Sequence, residues 1–287
     1  MAVTTRSKRI KTAYLLLIPG FAWLFFFFFF PLGSLLATSL KRPLGDSPEA
    51  GFAYALQFSN YSQAIAEYWP FYVRAFTFAA IATVFCLLLA YPISYYMAFK
   101  AKKYKYLMLV LIVAPFFASF LLRTNAWKTI LSSEGAVVGF LNFLGVLPEE
   151  RILSTSFAVI VGLIYNFLPF MILPLFISLD KIDKRLLEAA GDLYATGNQR
   201  FWKIVWPLSI PGIVSGTILT FIPASGDYIN AELLGGISDK MIGNVIQSQF
   251  IILRNYPQAS ALSFTLMAIV LVFLYLYLRK IGTKELL

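Results

Sequence analysis

Among the 287 residues, side chains able to do chemistry are few and oddly placed. Glu149 and Glu150 are adjacent carboxylates beside Pro148, but acidic neighbours next to a proline more often make a solvated turn than an acid–base pair. There is no histidine, which excludes a histidine-based triad, a histidine-ligated zinc site and a haem histidine ligand. No glycine is followed by lysine, so the phosphate-cradling loop of a nucleotide hydrolase is missing and any ATP used must be bound by another chain. The lone Cys86 cannot form an intrachain disulfide, and in the apolar run 80–90 it is expected to be a small buried hydrophobe rather than a reactive thiol.

The most informative stretch is 180–207, which reads as a helix, a turn and a second helix. Asp183 is placed to cap the first helix, and Leu186, Leu187, Ala190, Leu193 and Tyr194 recur at helical spacing as one apolar face. Lys184, Arg185, Glu188 and Asp192 fall largely on the opposite face. Periodicity alone leaves two uses open, lying on a bilayer surface or docking against a partner.

The elements that must hold this segment are set by composition. The chain is 59% hydrophobic and 17% aromatic, with 13% charged residues where a soluble domain carries about 25%. An apolar run of about 20 residues crosses the hydrocarbon core, and charge inside it is costly. Six runs meet that test: Ala13–Leu36, Ala75–Phe99, Tyr106–Leu122, Ala158–Leu179, Leu208–Ala224 and Ala259–Leu278, none containing Lys or Arg. The segments between them alternate in charge, with sixteen Lys and Arg on one side and eight on the other. Positive charge accumulates on the cytoplasmic side of short loops, so both termini are expected in the cytoplasm. The net charge of +10 is then membrane orientation, and nucleic acid is not needed to explain it.

Ala13–Leu36 is longer than the roughly 7–15-residue apolar region of a cleavable signal, so an uncleaved first span is expected. Within it the six consecutive phenylalanines 25–30 cover every helix face and read as lipid contact. A single all-α membrane domain follows, with a cytoplasmic N-terminus 1–12, six spans over 13–278 and a tail 279–287. The outside segments 41–74 and 123–157 are long enough for short interfacial helices, and Tyr68, Trp69, Tyr72 and Trp127 suit headgroup depth.

Glu188-Ala189-Ala190, followed in register by Ile204 and Pro207, resembles the EAA loop of permease subunits of ATP-binding-cassette importers. Tyr194 stands where that family has glycine and Trp206 where it has leucine, and Gly197 is expected to supply the flexible backbone of the turn instead. Tyr165–Phe176, Leu179–Ala190, Leu233–Gly236 and Ile242–Ile246 are similar to the spermidine/putrescine importer permeases. The resemblance implies the type I importer permease fold and an ATPase-coupling role for Leu187, Glu188, Ala189, Ala190, Asp192, Tyr194, Gly197, Ile204 and Pro207. It also implies a pair of cytoplasmic ATPase subunits carrying ATP and Mg, a second permease and an extracytoplasmic polyamine-binding protein. This chain itself is expected to bind no cofactor or metal and to be no enzyme.

A polyamine crossing hydrocarbon needs carboxylates or carbonyls in place of its hydration, and aromatic faces for its charge. Asp227 and Glu232 are the acidic residues bordering the end of the fifth span, with Tyr228 and Asn230 between them. These four are the expected substrate pathway; the competing reading is a solvated loop in which Asp227 caps a turn after Gly226. Arg123, Asn125 and Trp127 form a second polar cluster whose positive charge points to a gate or interface. Pro169, Pro174, Pro211 and Pro223 interrupt spans four and five as a pathway lining would, and Gly212-x-x-x-Gly216 reads by default as helix packing. Related permeases serve ferric iron, thiamine, sulfate or molybdate, but charge-free spans favour a cation over an anion. An intramembrane enzyme lacks its catalytic constellation, and a structural scaffold would make the coupling loop a coincidence.

Overall fold

The computed structural model describes residues 16–45, 51–145 and 152–281. The start of the first expected span, the N-terminal basic cluster, the Glu149–Glu150 pair and the last six residues lie outside the described residues. The chain divides into two compact units, residues 1–67 with 248–265 and residues 68–247 with 266–287. Helices are numbered α1 Leu16–Ser39, α2 Ser59–Phe99, α3 Lys102–Phe117, α4 Phe120–Ile130 and α5 Ala136–Phe143. They continue as α6 Ser156–Asp180, α7 Lys184–Asp192, α8 Gly197–Ser225, α9 Ile229–Leu234, α10 Ile242–Ile252 and α11 Tyr256–Ile281. Among the described residues five helices are long and apolar enough to cross a membrane, or six if α3 and α4 count as one bent span.

In the first unit, Phe25–Phe30 are all more than half exposed, as a lipid-facing run should be. The helix widens to a π turn over Phe25–Phe29, directly before Pro31. A proline ring clashes with the carbonyl four residues back, and widening the turn relieves the clash without ending the helix. After α1 comes a hairpin of β1 Lys41–Pro43 and β2 Phe52–Tyr54, paired antiparallel, where short helices had been expected. Pro43, Gly45 and Gly51 disfavour a helix there. The Asn60 side-chain amide donates to the carbonyls of Ser39 and Lys41, at 2.8 and 2.9 Å, and ties α1 and the hairpin to the first turn of α2.

Helix α2 runs 41 residues, about 60 Å at 1.5 Å per residue and twice the hydrocarbon thickness of roughly 30 Å. The expected second span is only its C-terminal part, and residues 59–74 of the expected outside segment are the same helix continued. The third span is also corrected: it stops at Phe117 and turns by 93° into α4. Pro115 lies in a tightened last turn, and Ala118 is fully extended. With α5, this supplies the short helices expected in 123–157.

The core of the second unit lies between α2, α6 and α8, where Cys86, Met97, Met171, Leu175, Leu179 and Val205 are buried. Glycine sets how closely α8 approaches α6. A Cβ on Gly212 would stand 2.5 Å from Ser178 Cβ and 2.9 Å from the Pro174 carbonyl, and one on Gly216 would stand 2.6 Å from Met171 Sδ. The Gly-x-x-x-Gly spacing is therefore a packing device. The fifth expected span is the C-terminal two thirds of α8, which begins eleven residues earlier, at Gly197, and carries the motif residues Ile204 and Pro207 on the same rod.

Candidate functional site

Two regions gather the residues singled out above. The first is α7 with the turn into α8. The Asp183 carboxylate accepts from the Arg185 amide at 3.0 Å and caps α7, as its position predicted. Glu188, Ala189 and Asp192 are exposed, while Leu187 and Ala190 are half-buried. Leu187 packs back against the cluster containing Leu179, Ile182 and Val205, so its face anchors α7 to the spans instead of facing outward. The apolar surface left free is Leu186, Leu193 and Tyr194, of which Tyr194 is 95% exposed.

The helix ends at Asp192, so Leu193 and Tyr194 do not extend its apolar face. The Ala195 amide donates to the Ala190 carbonyl at 3.0 Å and the Tyr194 amide to the Gly191 carbonyl at 2.9 Å. This pair of bonds is the Schellman closure, which requires a left-handed residue at the position Tyr194 occupies. Tyr194 adopts φ +58°. Gly197 does not carry the turn: it is the first residue of α8, behind Thr196, and Thr196 and Gln199 satisfy each other's backbone amides in a capping box. The position at which the resembled family has glycine is thus left-handed here, and a tyrosine holds it. The family leucine position, Trp206, fills an aromatic cluster, with ring centroids 5.3 Å from both Tyr91 and Trp202. A π turn over Phe201–Val205 precedes Pro207, the device already seen before Pro31. Ile204 is half-buried and Pro207 exposed. A groove of about 390 Å³ opens between α7 and the first turns of α8, lined by Ala190, Leu193, Arg200 and Lys203 among others.

The second region is the segment after α8. Asp227 and Asn230 are buried, Tyr228 and Glu232 exposed. Asp227 Oδ1 accepts from the Asn230 amide at 2.8 Å, which is the capping role that competed with the pathway reading. Asn230 Oδ1 accepts from Asn166 Nδ2 at 3.0 Å, and the same nitrogen donates to Thr124 Oγ1 at 3.2 Å. Glu232 Oε2 accepts from Asn244 Nδ2 at 2.8 Å, and that nitrogen also reaches the Tyr228 carbonyl at 3.0 Å. The two carboxylates therefore enter different networks, Asp227 inward to α6 and α4, Glu232 across to α10. Gly243 permits the close approach, since a Cβ there would stand 2.7 Å from the Gly226 carbonyl.

The second polar cluster separates. The Arg123 guanidinium lies 4.6 Å over the Phe116 ring and 5.7 Å over the Phe120 ring, Trp127 packs edge-on against Tyr165 at 5.3 Å, and Asn125 is exposed. Sequence reasoning passed over Thr124, Asn166, Asn244 and the buried Asp239, which accepts from Ser156 Oγ and the Gly236 amide. The available signal was Asn166 itself, the one amide in the run 158–179.

No family model matches the chain. A spermidine/putrescine transport system permease protein, PotB of Haemophilus influenzae, is 39% identical over 264 residues, covering 90% of each chain. The Escherichia coli protein of the same name is 38% identical over 260 residues, covering 90% of this chain and 93% of its own. The E. coli inner membrane ABC transporter permease YdcU is 35% identical over 227 residues, covering 74% of this chain and 72% of its own. A chain of a bacterial alginate ABC transporter, solved with a pentasaccharide-bound periplasmic protein, superposes with a TM-score of 0.73 at 18% identity, covering 95% of this chain and 94% of that one. That likeness fixes the fold as the one used by ABC transporter chains. Identity at this level over nine tenths of the chain shows that it belongs to the permease proteins of ABC transporters of the spermidine/putrescine type.

Proposed function

We propose that this chain is the membrane permease subunit of an ABC importer that carries spermidine or putrescine inward. It is a multi-pass protein of the cytoplasmic membrane with no nucleotide site of its own. The charge asymmetry of the loops supports a topology in which both termini face the cytoplasm. It works with an ATPase, which binds ATP and Mg as a dimer, with a second permease of similar fold, and with an extracytoplasmic binding protein that delivers the amine.

The observation that carries the mechanism is the exposed Glu188 on a short helix whose other face, through Leu187, is packed onto the bundle. A charge presented on a rigidly seated helix is a handle: closure of the ATPase dimer on ATP moves α7, and α7 cannot move without α6 and α8. Glu188 and Asp192 meet basic groups on the ATPase, and Ala189 allows close approach. Tyr194 and Leu193 supply apolar contact beside them. On the opposite side, Asp227, Tyr228, Asn230 and Glu232 form the cation path, where the carboxylates and carbonyls replace water around each ammonium group.

The test is ATPase activity of the assembled complex, with its own ATPase, second permease and binding protein, as spermidine and putrescine are titrated. Stimulation by either amine supports the cargo. A complex that hydrolyses ATP and responds to neither, but responds to ferric iron, thiamine or an oxyanion, keeps the importer and replaces its cargo.

A further inference from the structure

Asn166 stands eleven residues into the 25-residue α6, about 15 Å from one end and 21 Å from the other at 1.5 Å per residue. It is therefore near the middle of the span, where a polar side chain is rare and expensive. Both its donors are used, on Thr124 Oγ1 and Asn230 Oδ1. Its carbonyl oxygen is buried without a hydrogen-bond partner among the described residues. An unpaired buried polar atom destabilises the fold, and apolar side chains of the same shape would avoid that cost. Asn230 is also joined through its backbone amide to buried Asp227, and Tyr165, the neighbour of Asn166, packs on Trp127.

We propose that Asn166, with Thr124 and Asn230, is a mid-membrane station of the cargo path, at which the Asn166 carbonyl oxygen accepts a hydrogen bond from a primary ammonium group of the amine. In the arrangement seen here the amides pair with each other. When α6 moves against α4 and α9, the pairing opens and the passing ammonium takes its place. A neutral acceptor suits a station that must release as readily as it binds, because a charged one would trap a multiply charged cargo. The inference rests on the polyamine reading above and adds two residues, Thr124 and Asn166, to its path.

The test compares two variants in the assembled complex. Asn166→Leu with Asn230→Leu removes both members of the amide pair together. The expected result is unchanged or higher thermal stability, with uptake of spermidine lowered at least tenfold. Asn166→Asp keeps an acceptor oxygen, adds a charge and loses the donor that holds Thr124 and Asn230; it is expected to fold, with a KM for spermidine at or below the wild-type value and a maximal uptake rate lowered severalfold but not abolished, because the charged station releases its cargo slowly. A double-leucine variant that folds and transports within twofold of wild type overturns the inference. So does Asn166→Asp that is destabilised and inactive, the behaviour of a structural latch. A wild-type complex that hydrolyses ATP but takes up neither amine overturns the cargo reading instead, an outcome recognisable before any variant is made.

Discussion

The loop from Asp183 to Pro207 and the segment from Asp227 to Asn244, both in the second unit, are built in opposite ways. In the first, the helix cap, the Schellman closure and the capping box each join residues at most five apart. Glu188, Asp192 and Lys203 are exposed there. In the second, the bonds from Asn230 and Asn244 reach partners 64 and 12 residues away, and Asn166 reaches Thr124 across 42. Its key groups are buried. A region that must be gripped by another protein holds its own shape locally and leaves its surface free, whereas one that contacts cargo inside a membrane takes its shape from several helices that can separate.

Reversing the charge of the handle should break the comparison hardest. Glu188→Lys leaves every bond of the loop intact, because Glu188 makes none of them among the described residues. It places a like charge against a basic partner, and loss of a desolvated charge contact of this kind costs about 2–5 kcal/mol. Transport should fall by well over tenfold, with the permease still folded and membrane-inserted. Co-purification with the ATPase measures it, and unchanged co-purification with unchanged uptake would remove α7 as the docking element.

Smaller effects are expected where structure and path share a residue. Asp227→Asn keeps an oxygen that can accept from the Asn230 amide and removes only the charge, so folding should persist while uptake drops severalfold. Asp227→Leu also removes the cap, adding a loss of about 1 kcal/mol in stability. Glu232→Gln keeps an acceptor for Asn244 and separates charge from structure in the second network. Wild-type uptake in both Asp227→Asn and Glu232→Gln would show that the two carboxylates serve only as caps and ties.

What could be read in the sequence follows the same division. The spans and the cap at Asp183 depend on neighbours in sequence, so apolar run length and spacing reveal them; the turn was expected to draw its flexible backbone from Gly197, whereas its left-handed residue is Tyr194. The bend after Pro115 and the hairpin at Lys41 were harder, since a proline near the end of an apolar run does not say whether the chain kinks or stops. The extra length of α2 was hidden because residues 59–74 are too polar to count as span, although nothing in them interrupts a helix except Pro70. The pairing of Asn166 with Asn230 had no local signature. Each asparagine looks isolated in its own segment, and only the packing of α4, α6 and α9 brings them together.

The finest test concerns Tyr194, where local rule and actual residue conflict. A left-handed backbone costs a residue with a Cβ roughly 1–2 kcal/mol, while glycine loses about 0.5–1 kcal/mol more backbone entropy on folding. Tyr194→Gly should therefore stabilise the loop by about 0–1.5 kcal/mol. Its ring is almost fully exposed and contributes no burial within this chain to offset the strain. A residue kept at a strained position without internal contacts is one whose contact is made elsewhere, so the same change should weaken ATPase binding severalfold while raising the melting temperature slightly. Gly197→Ala is the matched control: its Cβ meets nothing within 4 Å, φ there is not left-handed, and the first turn of a helix accepts alanine readily. Stability and ATPase binding should both be unchanged. If instead Gly197→Ala impaired transport and Tyr194→Gly were silent in both measurements, the turn would be governed three residues later than the Schellman bonds place it, and Tyr194 would lose its part in docking.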